Sequence, residues 1–204
     1  MCVFDYVKFA GLLVICTIIS SVSANAQPPA PSTDLIDQQV ISKINDIFNK
    51  PVLRISVHSQ NKRHKNIDQA EIDRLDKQWR AERKLEDQPL IASTLTNPLS
   101  SYLTQIQAAS LGLYTEIFVM DAKGLNVGQS SISSDYWQGD EAKFQKTFPN
   151  GAKAYFVDEA EFDDERGIWK AQFNATVADA SGSPIGAITV EFNLTELSRR
   201  AGNS

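Results

Sequence analysis

One short pattern occurs twice in the second half of this sequence, and it limits what the chain can fold into. The apolar run Glu116-Ile117-Phe118-Val119-Met120 enters Asp121-Ala122-Lys123-Gly124 and re-emerges as Leu125-Asn126-Val127-Gly128. Later, Phe173-Asn174-Ala175-Thr176-Val177-Ala178 enters Asp179-Ala180-Ser181-Gly182 and re-emerges as Pro184-Ile185-Gly186-Ala187-Ile188-Thr189-Val190. An Asp side chain opens such a turn by accepting backbone amides ahead of it, and Gly takes the positive φ the turn needs. Two antiparallel hairpins are therefore expected. Between them, Ser134-Asp135-Tyr136-Trp137-Gln138-Gly139-Asp140-Glu141 mixes aromatics with carboxylates.

At 204 residues the chain fits one domain with extensions. Residues 9–22 are almost entirely apolar, a run shorter than the roughly 20 residues of a spanning helix. Ala24-Asn25-Ala26 then supplies the small-x-small pattern that a signal peptidase accepts. Residues 1–26 read as a cleaved secretory signal, with an uncleaved anchor as the alternative, and residues 27–33 as a Pro-rich leader. Cys2 and Cys16 both fall inside that signal, so the mature chain is expected to carry no thiol, disulfide or cysteine metal site. A periplasmic location follows from this reading.

Residues 34–112 show helical spacing. Ile36, Val40, Ile41, Ile44, Ile47 and Phe48 share a stripe that Val52 and Ile55 continue past Pro51. One long, kinked helix ending near Ser59 is expected. The next opens with Asp68 as cap, Glu71 completing the box and Ile67 stapling Ile72. It buries Ile72, Leu75 and Trp79, and Pro89 breaks it. A third begins at Asn97-Pro98, buries Leu99, Leu103 and Ile106, and closes at Gly112.

Strands are expected over 115–120, 125–130, 153–157, 168–177 and 185–194. A short helix over 141–147 separates the second from the third. Thr195 caps a terminal turn over 196–200, and 199–204 form a tail. Helices followed by strands in this order indicate a single α+β domain over 34–198, its helical part at 34–112 and its sheet part at 113–198.

With these features in place, the chain resembles the Cache family, the extracytoplasmic PAS-like (PDC-type) sensor domains of bacterial receptors. The resemblance is carried by the amphipathic helix ahead of the sheet, the Asp121-x-x-Gly124 hairpin, the Ser134–Glu141 segment and the Asp179-x-x-Gly182 hairpin ending in Ile188-Thr189-Val190. It implies a five-stranded antiparallel sheet packed on one face against a long N-terminal helix. The other face and the segment after the second strand would enclose a small ligand. It also implies signal input and not catalysis. Family members usually sit between two membrane helices of a kinase, cyclase or chemoreceptor. Here the one hydrophobic segment is N-terminal, so a free periplasmic module serving a separate membrane partner is expected.

Tyr136, Trp137, Asp140 and Glu141 fall where the family places its pocket cover. Aromatic faces with a carboxylate suit an amine through cation–π attraction and an ion pair. The plainer alternative has Trp137 packing on the sheet and Asp140 capping the following helix. A ligand carboxylate would need a basic donor, and Lys170 is the best placed. The strand 168–177 alternates Ala171, Phe173, Ala175 and Val177 with Lys170, Gln172, Asn174 and Thr176. Its polar row, Lys170, Gln172 and Asn174, is the candidate pocket floor. The ligand is expected to be a small polar metabolite: an amine, an amino acid or a carboxylate.

Other chemistries find little footing. The acidic run of Asp158, Glu159, Glu161, Asp163, Asp164 and Glu165 lacks the D-x-D-x-D-G spacing of a calcium loop and reads as a solvated hairpin tip. His58 and His64, six apart, do not share a helical face as a zinc pair would. No nucleophile-elbow, zincin, P-loop or dinucleotide fingerprint occurs, so neither an enzyme nor a cofactor is expected. Residues 43–84 hold 11 Lys/Arg against 6 Asp/Glu, whereas 113–204 hold 8 against 14. No aromatic-interleaved basic patch suggests nucleic acid. The competing expectation is a ligand-free interaction module that pairs as a homodimer through its first helix or docks a receptor.

Overall fold

The structure is a computed structural model that describes residues 27–202. The expected signal segment, with Cys2 and Cys16, lies outside the described residues. Among these residues no helix is long and apolar enough to cross a membrane.

The expected long first helix is two helices. Asp37 caps α1 (Gln38–Phe48) by accepting from the amides of Gln39 and Val40, both at 2.9 Å. Lys50 then turns extended, and Pro51 opens α2 (Pro51–Arg63). A proline disfavours helical geometry in the residue before it and contributes no amide, so it starts a helix more readily than it continues one. The same chemistry acts at Pro89, which opens α4 (Pro89–Leu95) after α3 (Gln69–Glu82). The buried Glu82 carboxylate caps α4, accepting from the Leu90 and Ile91 amides at 2.8 and 3.0 Å. Asp68 caps α3 through the Glu71 amide, but the Glu71 carboxylate turns to Arg74 instead of closing the box. Asn97 caps α5 (Pro98–Ala109), accepting from the Ser100 amide at 2.9 Å.

Six strands follow where five were expected: β1 (Tyr114–Met120), β2 (Asn126–Gln129), β3 (Tyr155–Val157), β4 (Glu161–Asp163), β5 (Ile168–Ala178) and β6 (Pro184–Asn193). They form one antiparallel sheet in the order β2-β1-β6-β5-β3, with β4 also paired to β5. The additional strand, β4, lies inside the acidic run. Glu161 pairs opposite Lys170, and Phe162 meets the Trp169 ring edge-on at 5.2 Å. The short α6 (Ala142–Gln145) sits between β2 and β3, and α7 (Leu194–Gly202) closes the chain. Asn193, not Thr195, caps α7: its side chain accepts from the Glu196 amide, while the Thr195 hydroxyl accepts from the Trp169 amide.

Alternation along the strands divides the sheet into two chemically distinct faces. Ile117, Val119, Phe173, Ala175, Ile188 and Val190 pack against Ile41, Ile44, Leu53, Val57, Leu99 and Leu103 of α1, α2 and α5. This is the main core. On the reverse face Phe118, Met120 and Ala187 meet Phe144, and beside them the central strands turn polar. A third cluster, Ile72, Trp79, Ile91, Leu125 and Tyr136, joins α3 and α4 to the segment after β2.

Candidate ligand pocket

The polar patch of the reverse face is built by register. Glu116 of β1 stands opposite Glu191 of β6, which stands opposite Gln172 of β5. Lys170 precedes Gln172 by two residues and so shares its face. Over this floor the chain between β2 and β3 brings α6 with Lys143, and the acidic run ahead of β5 forms a second wall. Two chambers result. The outer has a volume of about 430 Å³ and is lined by Glu141, Asp158, Glu159, Ala160, Glu161 and Ala171. The inner, about 220 Å³, is lined by Glu116, Phe118, Ile132, Ser133, Ser134 and Gln138. Lys143, Lys170, Gln172 and Glu191 border both.

Charge in this pocket is unbalanced. Glu116, Glu141, Asp158, Glu159, Glu161 and Glu191 face Lys143 and Lys170. Both lysines are engaged: Lys143 Nζ lies 2.8 Å from Glu141 Oε2, and Lys170 Nζ lies 3.4 Å from Glu191 Oε2. Glu191 is 6% exposed and also accepts from the Thr115 hydroxyl at 2.6 Å and from Gln172 Nε2 at 3.3 Å. Glu116 accepts from the Ser131 hydroxyl at a long 3.4 Å. Burial, then the nearby Glu191 carboxylate, push the Glu116 carboxyl up to about 7, against the opposing pull of Lys143, Ser131 and Lys170.

Among the residues the sequence nominated, Lys170 and Gln172 border the pocket. Asn174 lies fully buried beneath it, accepting from the Thr189 hydroxyl at 2.7 Å and donating to the Gln172 carbonyl. Tyr136 and Trp137 face the helices. Tyr136 is 5% exposed and stacks on Trp79 at 5.3 Å, and burial pushes its phenol up to about 12. Trp137 donates from Nε1 to the Lys123 carbonyl at 2.8 Å and lies flat over Gly139, where an added Cβ would come within 2.4 Å of the ring. Asp76 of α3 holds both aromatic residues by accepting from their amides at 2.9 and 3.1 Å. Asp140 is exposed and borders neither chamber, and α6 begins at Glu141 without a side-chain cap. From this segment Glu141, expected at the cover, and Gln138, which was not, border the pocket.

Glu116, Lys143 and Glu191 were not singled out in the sequence. For the two acids the one signal was a lone acid within an apolar strand, as in Val190-Glu191-Phe192; Lys143 had none. The acidic run, read as a solvated tip, lines the outer chamber as well as forming β4. Among the described residues no group of three or more His, Cys, Asp or Glu side chains is placed to hold a metal ion.

No protein-family model matches the sequence, and no curated protein matches it. Solved structures do. The ligand-binding domain of the Pseudomonas aeruginosa amino-acid chemoreceptor PctC, in complex with GABA, is 15% identical with a TM-score of 0.36, covering 79% of this chain and 63% of its own. The sensory domain of the Campylobacter jejuni chemoreceptor Tlp3 is 13% identical with a TM-score of 0.40, covering 78% and 64%. The sensor domain of the V. cholerae histidine kinase DctB is 14% identical with a TM-score of 0.33, covering 79% and 59%. The chain thus spans somewhat under two thirds of each. All three are sensor or ligand-binding domains.

Proposed function

We propose that this chain is a non-enzymatic sensor domain that binds a small cationic metabolite, an amine above all, between the polar face of its sheet and the segment carrying α6. In this proposal it works in the periplasm, exported by residues 1–26, and reports occupancy to a membrane receptor, kinase or cyclase. The observation that carries the ligand class is the excess of carboxylates over lysines around the two chambers, with both lysines already paired. Two unit charges 4 Å apart interact by about 4 kcal/mol at an effective dielectric of 20. The surplus acids therefore favour an ammonium group and disfavour a carboxylate, by less than this at the solvent-exposed Glu159 and Glu161. Phe118 and Ile132 offer apolar surface in the inner chamber.

This makes Glu116, Glu191, Lys170 and Gln172 the ligand-facing set. Tyr136, Trp137 and Asn174 hold the walls and floor in place, with Asp140 outside the pocket. A thermal-shift screen of amines, amino acids and carboxylates at pH 8 tests the reading. Binding to the native state stabilises it by about 2.7 kcal/mol at 100 times Kd, so amines should raise Tm by several degrees. Stabilisation by carboxylates alone, or by no class, would refute it.

A further inference from the structure

Glu116 and Glu191 face each other directly across neighbouring antiparallel strands, an arrangement in which two negative charges repel. They are not equivalent. Glu191 is held by Thr115, Gln172 and Lys170. Among the described residues the hydrogen bond to the Glu116 side chain is the long one from Ser131. The charged groups around Glu116 are Glu191 on β6, Lys170 on β5 and Lys143 on α6. Lys170 pairs with Glu191, and Lys143 is drawn to Glu141 Oε2 and to Gln138 Oε1 at 3.2 Å. Glu116 is thus the pocket-floor carboxyl with acceptor capacity to spare.

We infer that Glu116 selects the ligand's ammonium group and exchanges its own proton for that cation on binding. This rests on the pocket reading above and adds the residue and the linked proton. In the empty pocket below about pH 7 the Glu116 carboxyl keeps its proton, which relieves the repulsion with Glu191. An arriving R–NH3+ group replaces that neutralisation: the Glu116 O–H bond breaks, its electron pair stays on the carboxylate, and one H+ leaves to solvent. No other bond changes, and charge is conserved. The elevated Glu116 pKa, about 7, agrees with a carboxyl protonated in mild acid.

The test is an NMR pH titration of the carboxyl-13C-labelled protein, with and without n-butylammonium chloride, and with n-butanol as the uncharged control. Phe118 and Ile132 resonances report whether the probe enters the pocket at all. In the free protein Glu116 should titrate near 7, and saturating n-butylammonium should lower that midpoint by about two units. Apparent affinity should rise about twentyfold between pH 5.5 and 7.5. Glu116→Gln should weaken binding at pH 7.5 about tenfold or more and abolish the pH dependence, whereas Glu116→Asp should keep both in reduced form. A free-protein midpoint between 4 and 5, or probe entry that leaves it unmoved, overturns the inference and leaves the pocket reading standing. If the Phe118 and Ile132 resonances do not respond, the pocket reading falls and this inference with it.

Discussion

Glu116 makes folding stability depend on pH. Its carboxyl holds a proton up to about 7 in the folded protein, against an ordinary value of 4.5. The folded state therefore binds more protons than the unfolded chain between these limits. Stability from this group is fully present below about 4.5 and is lost as pH rises through 7. Urea denaturation of wild type and Glu116→Gln at pH 5, 6, 7 and 8 checks this. Wild type should lose on the order of 2 kcal/mol relative to the variant across the series. Parallel curves would show that Glu116 is not desolvated as described. At this scale the sequence showed Lys170 and Gln172 sharing one face, because a polar row in an alternating strand exposes its own face. It concealed Glu116 and Glu191, because an isolated acid in an apolar run gives no sign of which neighbour it will meet across the sheet. Tyr136 and Trp137 turned to the helices for a reason no local pattern contains: Asp76, some 60 positions earlier, captures both of their amides.

The two Asp-x-x-Gly hairpins, alike in sequence, differ as elements. Asp179 is a turn-former at the surface, accepting from the amides of Ser181 and Ser183. Asp121 is fully buried and does more. It accepts from the Lys123 and Leu125 amides, from Gln60 Nε2 at 3.1 Å and from His64 Nδ1 at 2.7 Å. It therefore ties the end of α2 to the β1–β2 hairpin, at the end of the strand that carries Glu116. Asp121→Ala strands buried donors and should cost about 3 kcal/mol, whereas Asp179→Ala should cost about 1 kcal/mol or less. Equal losses in chemical denaturation would contradict this difference. Both hairpins and the Asp68 and Asn97 caps were legible because turns and caps are written in adjacent residues. The β4 strand was not, since acidic residues disfavour strands and pairing with Lys170 and Trp169 of β5 overrode that preference. The break between α1 and α2 was misjudged because the apolar stripe runs on past Pro51 although the backbone does not.

At the scale of the whole molecule, one sheet separates two functions. Its apolar face binds α1, α2 and α5 and supplies the main core, and its polar face carries the pocket. The strands β1, β5 and β6 belong to both, so a charge change at Glu116 or Glu191 acts on strands whose opposite side chains bear on the helices. The most direct test is a crystal structure of the complex with the most stabilising amine from the screen. The nitrogen should lie about 3 Å from Glu116 and Glu191 carboxylate oxygens, with the hydrocarbon over Phe118 and Lys143 still paired to Glu141. A ligand seated between α1 and β3, or a ligand carboxylate against Lys143 and Lys170, would contradict a pocket that selects cations.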